Sequence, residues 1–449
     1  MRAPAWVWAL ALLPRLTLFG YVAAQPLRAM VYADSFEYLA LAGNLARHHR
    51  FATRAGSLDQ GIPSLADPAV VDAWLAATAG PPFEANMFRT PGYPLLVAPW
   101  HHLSASPLFP AVAMALLQCL AGALTVVLCW HWGARMAGRP GPAAGAAALV
   151  ALEPAGIVHT PLLLTDTLHV TALAAAALLF WRLLKEDRPA FAALSGLGFS
   201  AAIMLRPVAL YLPALLGVFL LRRKKCLAAF LCAAYLIPAL WALRNQQAGG
   251  RLIVSCVGGD QLAHLPGLPA AGPAEGAAAS GYVGAAACAR QGSLSATARA
   301  VLGGIAAEPV LYIKSCGRNL FYLFEGTSLN MLLDILYLGR RPVIAAGMQG
   351  PFQFARSNPA LAPVWAGGLL LLLALYAAFA RGCWRLLRAG RWPEAAFLVG
   401  CVAYFAALTM ITNGSARYRL PAIPFLAAGA SAGFSRRPLS PRADSRARG

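Results

Sequence analysis

The sequence predicts an all-α polytopic membrane protein of about ten transmembrane helices, with two long outer loops that carry interfacial helices. Composition is the first reason. Hydrophobic residues make up 59% of the 449-residue chain and charged residues 12%, against about 25% charged in soluble proteins, which excludes a soluble enzyme, a secreted disulfide scaffold and a disordered chain. Second, the mean hydropathy of +0.60 comes from apolar runs of about 20 residues, each long enough to cross a hydrocarbon core of about 30 Å. Third, the net charge of +20 is gathered in short segments between those runs: Arg135 and Arg139, Arg182 to Arg188, Arg222 to Lys225, Arg381 to Arg391, and Arg436 to Arg448. Short basic loops mark the cytoplasmic face, and their placement sets nucleic acid aside as a partner.

In chain order, apolar spans are read at residues 4–24, 107–132, 142–158, 161–181, 226–243, 362–380, 395–411 and 419–434. The run from Phe191 to Leu221 differs: as one helix it would be about 46 Å long, and Pro207 interrupts it. Basic segments that both read as cytoplasmic flank it, so the run crosses an even number of times. Two short helices turning at Arg206-Pro207 near the outer face satisfy this and leave both termini inside. Residues 1–434 then form one integral-membrane domain with outer loops at 25–106 and 244–361, followed by a disordered basic cytoplasmic tail at 435–449. The first span reads alternatively as a cleaved signal sequence, with Val22-Ala23-Ala24 as the cleavage site.

Cys119, Cys129, Cys232 and Cys401 lie in apolar runs as small hydrophobes. Cys256, Cys288 and Cys316 share the second outer loop, where one disulfide is compatible with an oxidising compartment. The stretch from Leu265 to Ala279 reads as irregular loop. The doublets His48-His49 and His101-His102 lack acidic or cysteine partners at ligand spacing, so no metal is expected. Asn413-Gly414-Ser415 is a glycosylation sequon by pattern and, between two spans, reads as a turn.

Chemistry-bearing residues gather at outer span ends. Asp34-Ser35-Phe36-Glu37-Tyr38 opens an interfacial helix with apolar residues at helical spacing. Asp34 and Glu37 make a capping box, and a carboxylate there is also placed to take a proton from an acceptor. Arg89 precedes the rigid turn Pro91-Gly92-Tyr93-Pro94 and suits either a lipid headgroup or a substrate phosphate. Asp166 opens a span, where the helix dipole alone would favour it. Arg206 stands at a helix break, where an arginine is costly unless it serves a cavity or pairs with a group such as Asp166. Arg244, Arg417 and Arg419 are outer-interface arginines that snorkel or bind substrate.

These segments, taken in order, resemble the polyprenyl-phosphate-sugar-dependent membrane glycosyltransferases of the glycosyltransferase C superfamily, similar to the bacterial aminoarabinose transferase and the protein O-mannosyltransferases. The resemblance rests on Asp34, Tyr38-Leu39-Ala40, Arg89-x-Pro91-Gly92-Tyr93-Pro94, Thr165-Asp166-Thr167-Leu168, Gly196-x-Gly198, Leu205-Arg206-Pro207, Trp241-x-x-Arg244-Asn245, Glu308-Pro309-x-x-Tyr312 and Arg417-Tyr418-Arg419-x-Pro421-x-x-Pro424. It implies a polyprenyl-phosphate-linked sugar donor, an acceptor that is a lipid, glycan or protein, and no cofactor or metal. It further implies inverting transfer on the outer face of a bacterial inner membrane, among membrane lipid. By that resemblance Asp34 and Asp166 are catalytic, and Arg206, Arg89, Arg417 and Arg244 hold donor phosphate. Glu37, Tyr38, Tyr93, Tyr418 and Arg419 contact substrate. Asp166 stands where the family commonly has glutamate, and Ser35 stands where the mannosyltransferases tend to carry a second acid, which argues against protein mannosylation. A lipid or sugar-lipid transporter and a noncatalytic assembly subunit are the alternative readings. Transporters more often carry polar residues deep in their spans and show inverted repeats, neither of which is evident in this chain.

Overall fold

The computed structural model describes residues 2–25, 30, 33–54, 68–104, 108–257, 294–336, 359, 362–411 and 414–435. The basic tail from 436, Cys288, the 265–279 stretch and Asn413 lie outside the described residues. Six helices are long and apolar enough to cross a membrane: α1 (Ala5–Ala23), α5 (Phe109–Ala137), α8 (Asp166–Glu186), α11 (Lys224–Gly249), α15 (Ala362–Arg388) and α16 (Trp392–Ile411). Shorter apolar helices stand among them: α6 (Pro140–Ala151), α9 (Pro189–Leu205), α10 (Leu212–Gly217) and α18 (Ile423–Phe434). The remaining elements are α2 (Ala33–His48), α3 (Pro68–Ala77), α4 (Gly92–Val97), α7 (Pro154–Val158), α12 (Leu294–Ala307), α13 (Pro309–Glu325), α14 (Leu329–Leu336) and α17 (Ala416–Arg419). Strands β1 (Ala52–Arg54) and β2 (Phe83–Ala85) pair antiparallel, with Ala52 opposite Ala85, a small ribbon that the all-α expectation did not include.

Local chemistry sets the helix ends. α5 carries Pro110 in its first turn and stops at Gly138, whose φ of 75° closes the helix. α9 starts on Pro189 and ends at Arg206, held extended (φ −153°, ψ 119°) because Pro207 disfavours helical backbone in the residue before it. The expected break in the 191–221 run is therefore present at Arg206-Pro207. The expected span at 142–158 is interrupted where Glu153 leaves the helix and Pro154 starts α7, with Glu153 Oε2 accepting from the Gly156 N–H at 2.5 Å. The next span starts at Asp166 rather than 161, because residues 159–165 are drawn out into a bonded loop.

α18 runs through the middle of the bundle with its residues buried from Ile423 to Gly433. Small residues let α15 approach it: a Cβ at Gly433 would run into the Ala378 carbonyl, and one at Gly382 into the Gly429 carbonyl. Without a hydrophobic drive between helices in lipid, such close backbone contact supplies the association. Beside it, Trp132, Phe180, Phe397 and Phe425 form an aromatic core, with ring centroids 5.5 Å apart for Phe180 and Phe397 and 5.7 Å for Trp132 and Phe425.

The basic segments collect at one end of the bundle. Arg391 donates to the Met136 carbonyl and pairs with Glu394, which also takes Lys185 and the Trp181 indole N–H. Arg223 donates to the Leu183 carbonyl at 2.9 Å, so the chain leaves this end after α8 and returns to it before α11. A Gly433→Val variant is expected to force α15 and α18 apart at a cost of about 1–3 kcal/mol, seen as a lower melting temperature in detergent. Gly400→Val, where a new side chain meets open space, should melt like the parent. Equal melting of the two variants would refute the close-packing account.

Candidate active site

At the opposite end, six charged side chains form one alternating chain. Asp34 and Glu37 lie in the first turns of α2, three residues apart, so they share a face one turn apart. Arg89 lies between them, with Nη2 2.8 Å from Asp34 Oδ1 and Nε 2.6 Å from Glu37 Oε2. Its position is set locally: Asn86 Oδ1 accepts the Arg89 N–H at 2.9 Å while Asn86 Nδ2 donates to Glu37 Oε1 at 2.6 Å. Gly92 then allows α4 to press on the end of α9, where a Cβ would stand 2.7 Å from the Met204 carbonyl carbon. That contact brings the Arg89 turn beside Arg206.

Arg206 pairs with Asp166 Oδ1 and lies under the Tyr418 ring, its guanidinium carbon 4.9 Å from the centroid. Arg417 closes the chain, with Nε 2.7 Å from Asp166 Oδ2 and Nη1 3.1 Å from Asp34 Oδ2. Ser415 starts the short helix α17 that presents it. The loop between α7 and α8 fixes Asp166 against α2, since Ser35 Oγ donates to the Leu163 carbonyl and Gln118 Nε2 donates to the Thr160 and Leu162 carbonyls. Tyr93, which hydrogen-bonds Gln118 at 2.7 Å and packs on the Tyr38 ring, supports this floor from below. Tyr38 Oη accepts from Arg89 at 3.4 Å.

Three arginines and three carboxylates make the set formally neutral. Glu37 and Asp166 side chains are fully buried, whereas Asp34 is 29% exposed and Arg417 19%, so the set opens outward at that pair. Burial raises the Asp34 pKa, but the guanidinium groups of Arg89 and Arg417 outweigh it and hold the carboxyl below its ordinary range. Burial raises Tyr38 and keeps it neutral. His159, buried with Nε2 3.2 Å from Ser328 Oγ, is pushed down to about 3 by burial and by the neighbouring Arg417, Arg206 and Arg419.

Two arginines that read alike in sequence stand apart. Arg244 donates to the Asn86 carbonyl at 3.0 Å and the Phe51 carbonyl at 2.8 Å, and stacks against Trp241, so it clamps the segment behind Arg89. Arg419, almost fully buried, pairs with Glu153 at 2.5 Å and donates to the Leu323 carbonyl. Glu308 and Tyr312 stand at the start of α13, with Glu308 exposed. Asn86 and His159 were not singled out in sequence. Asn86 lies three residues before the backbone N–H it accepts from, a local side-chain-to-backbone bond of the kind asparagine favours outside helices, while His159 offers no local signal. Cys256 is disulfide-bonded and its N–H donates to the Met87 carbonyl beside Arg89, whereas Cys316 is free. Among the described residues no group of three or more His, Cys, Asp or Glu side chains is placed to hold a metal ion.

Residues 91–243 match the protein family described as dolichyl-phosphate-mannose-protein mannosyltransferase. The glycosyltransferase C resemblance holds. The matched family is one of glycosyltransferases, and the matched stretch runs from α4 to α11, including Asp166 and Arg206; Asp34, Arg89 and Arg417 lie outside it. No curated protein matches the chain. Together with the six long apolar helices, the match makes the chain an integral multi-pass membrane protein similar to this glycosyltransferase family.

Breaking a buried ion pair from one side leaves an unpaired charge. Glu37→Ala leaves Arg89 with Asp34 alone, removes the acceptor of Asn86 Nδ2 and gives the set one uncompensated positive charge, so it is expected to destabilise the protein by about 3–5 kcal/mol. Glu186→Ala, at the half-exposed pair with Arg182, should cost less than about 1 kcal/mol. Thermal unfolding of both in detergent tests the ranking, and equal melting temperatures would show that the charge chain is not structural.

Proposed function

We propose that the protein transfers a sugar with inversion from a polyprenyl-phosphate donor to an acceptor on the outer face of the bacterial inner membrane. The observation that carries this reading is the bridge of Arg417 between two carboxylates, with Arg206 and Arg89 beside it, at the end of the bundle away from the basic segments. By the positive-inside rule that end faces outward, and counting the shorter apolar helices as crossings gives about ten.

In this mechanism Asp34, the most exposed carboxylate of the set, accepts the proton of an acceptor hydroxyl or amine. The acceptor atom forms a bond to the anomeric carbon as the bond from that carbon to the phosphate oxygen breaks. The electron pair leaves with the polyprenyl phosphate, whose charge grows from about −1 to −2. Arg206, Arg417 and Arg89 stabilise that charge with fixed donors in a site of low dielectric, the role a divalent cation plays elsewhere. Asp166 holds Arg206 and Arg417 in place, and Tyr418 stacks on Arg206. Glu37, Tyr38 and Tyr93 shape the wall behind Arg89, Arg244 steadies that wall through Asn86, and Arg419 anchors α17. The acceptor class, whether lipid, glycan or protein, is read outside this charge chain.

Asp34 is the most exposed carboxylate of the set, and Arg89 and Arg417 each keep a second, buried carboxylate, so Asp34→Asn is expected to stay folded while transfer falls about 10²- to 10⁴-fold. Assays of purified, detergent-solubilised protein check this, and near-normal turnover would move the base elsewhere. Reporter fusions at Gly80 should read outside and at Lys224 inside. A cytoplasmic signal at Gly80 would separate the site from an outer-face donor and overturn the orientation.

A further inference from the structure

Every arginine that the proposed reaction assigns to the donor phosphate already has a carboxylate partner. Arg89 is held by Asp34 and Glu37, Arg206 by Asp166, and Arg417 by Asp34 and Asp166. The set is formally neutral as it stands. An arriving phosphodiester brings one more negative charge into a partly buried site, so it must take guanidinium hydrogen bonds away from a carboxylate.

The geometry singles out where that exchange occurs. Arg417 is the one arginine of the set that bridges Asp34 and Asp166, and its contact with Asp34, at 3.1 Å, is longer than its contact with Asp166 at 2.7 Å. Arg417 and Asp34 are also the most exposed members of the set, at 19% and 29%, against 9% for Arg89, 12% for Arg206 and none for Asp166. Arg206 is enclosed by Asp166 and the Tyr418 ring, and Arg89 by Glu37 and the Tyr38 and Phe88 rings. A ligand entering from outside therefore meets the Arg417–Asp34 contact first. The charged and titratable groups around Asp34 come from four directions: Glu37 and Tyr38 on its own helix, Arg89 on the turn before α4, Arg417 on α17, and Asp166 with Arg206 at the ends of α8 and α9.

We propose that Arg417 is a donor-operated switch: donor phosphate draws its Nη1 off Asp34 while Nε stays on Asp166, and only then is Asp34 released to act as base. This deepens the glycosyl-transfer reading and rests on it. While Asp34 stays paired with two guanidinium groups it is a poor proton acceptor, so an acceptor molecule or water that arrives before the donor meets an inactive base. The order donor first, acceptor second is then built into the charge count, and Asp34 competes with the phosphate for the same guanidinium.

Competition has a consequence that an ordinary catalytic carboxylate would not produce. Removing the Asp34 charge slows turnover yet tightens binding of the phosphate. The measurement is equilibrium binding of a short-chain polyprenyl phosphate to the full-length protein in detergent micelles at neutral pH. Asp34→Asn is expected to bind about three- to tenfold tighter than the parent, and Asp34→Ser, which removes the same charge, should do the same. Asp187→Asn, which removes one charge at the opposite end of the bundle, should leave affinity unchanged. In an Arg417→Ala background the gain from Asp34→Asn should vanish, because the two effects share one contact.

Unchanged or weaker binding by both Asp34 variants, with the parent binding normally, would overturn the switch and leave the glycosyl-transfer reading standing. An equal gain from Asp187→Asn would also overturn it, as a long-range charge effect. Failure of the parent and of every variant to bind polyprenyl phosphate would overturn the switch together with the reading beneath it.

Discussion

Taking a guanidinium out of water without a partner is costly, and this constraint organises the end of the molecule away from the basic segments. Arg89, Arg206 and Arg417 come from three distant parts of the chain. Each needs a carboxylate, and the three carboxylates are shared among them. The pairing ties α2, the turn before α4, the start of α8, the end of α9 and α17 into one unit. Secondary features serve that unit. The extended backbone at Arg206 is fixed by Pro207, Gly92 lets α4 press on the end of α9, and the loop between α7 and α8 is pinned through Gln118 and Ser35. A single cation without its partner would cost more than any one of these local features supplies.

The two ends of the bundle solve different problems. At the basic end, Glu394 is the buried acid, taking Lys185, Arg391 and the Trp181 N–H, while Glu186 and Asp187 pair with arginines nearer the surface. Exposed positive charge of this kind makes no demand on close geometry. At the other end the charges balance and their geometry is close. Between the two, α15 and α18 are held by backbone approach at Gly382 and Gly433, a contact that needs no polar group in the hydrocarbon layer.

Much of the fold was legible in the sequence because its signals are local. Apolar runs mark the long helices, Pro207 marks the break, and the basic segments mark one end. The interruption at Glu153 was less visible, since Glu153-Pro154 reads equally as a simple helix stop. The pairings of the site were legible only as residue types. Arg89 and Asp34 are 55 positions apart, Arg417 and Asp166 are 251, and Arg417 and Asp34 are 383. No periodicity carries information over such separations. The β ribbon escaped because three-residue strands are too short to show alternation, and Asn86 because its value lies in two partners that sequence does not reveal.

Arg417 and Arg419 show where that limit falls. They are the same residue type two positions apart on one short helix, and residues so spaced point to opposite faces. One face meets Asp34 and Asp166 at the exposed side of the set, while the other meets Glu153 and the carbonyls that close α13. The buried pair neutralises Arg419 away from the opening, so it adds no positive charge to the set there. Its bonds to Glu153 and the Leu323 carbonyl fix α17 against two other elements, which leaves the Arg417 side chain free to change partners while its backbone stays anchored. A cation that exchanges partners needs a backbone that does not move with it, and the adjacent buried pair supplies that anchor. The sequence shows two similar arginines; the difference between an anchor and an exchangeable contact arises only when the helix turns them to opposite sides.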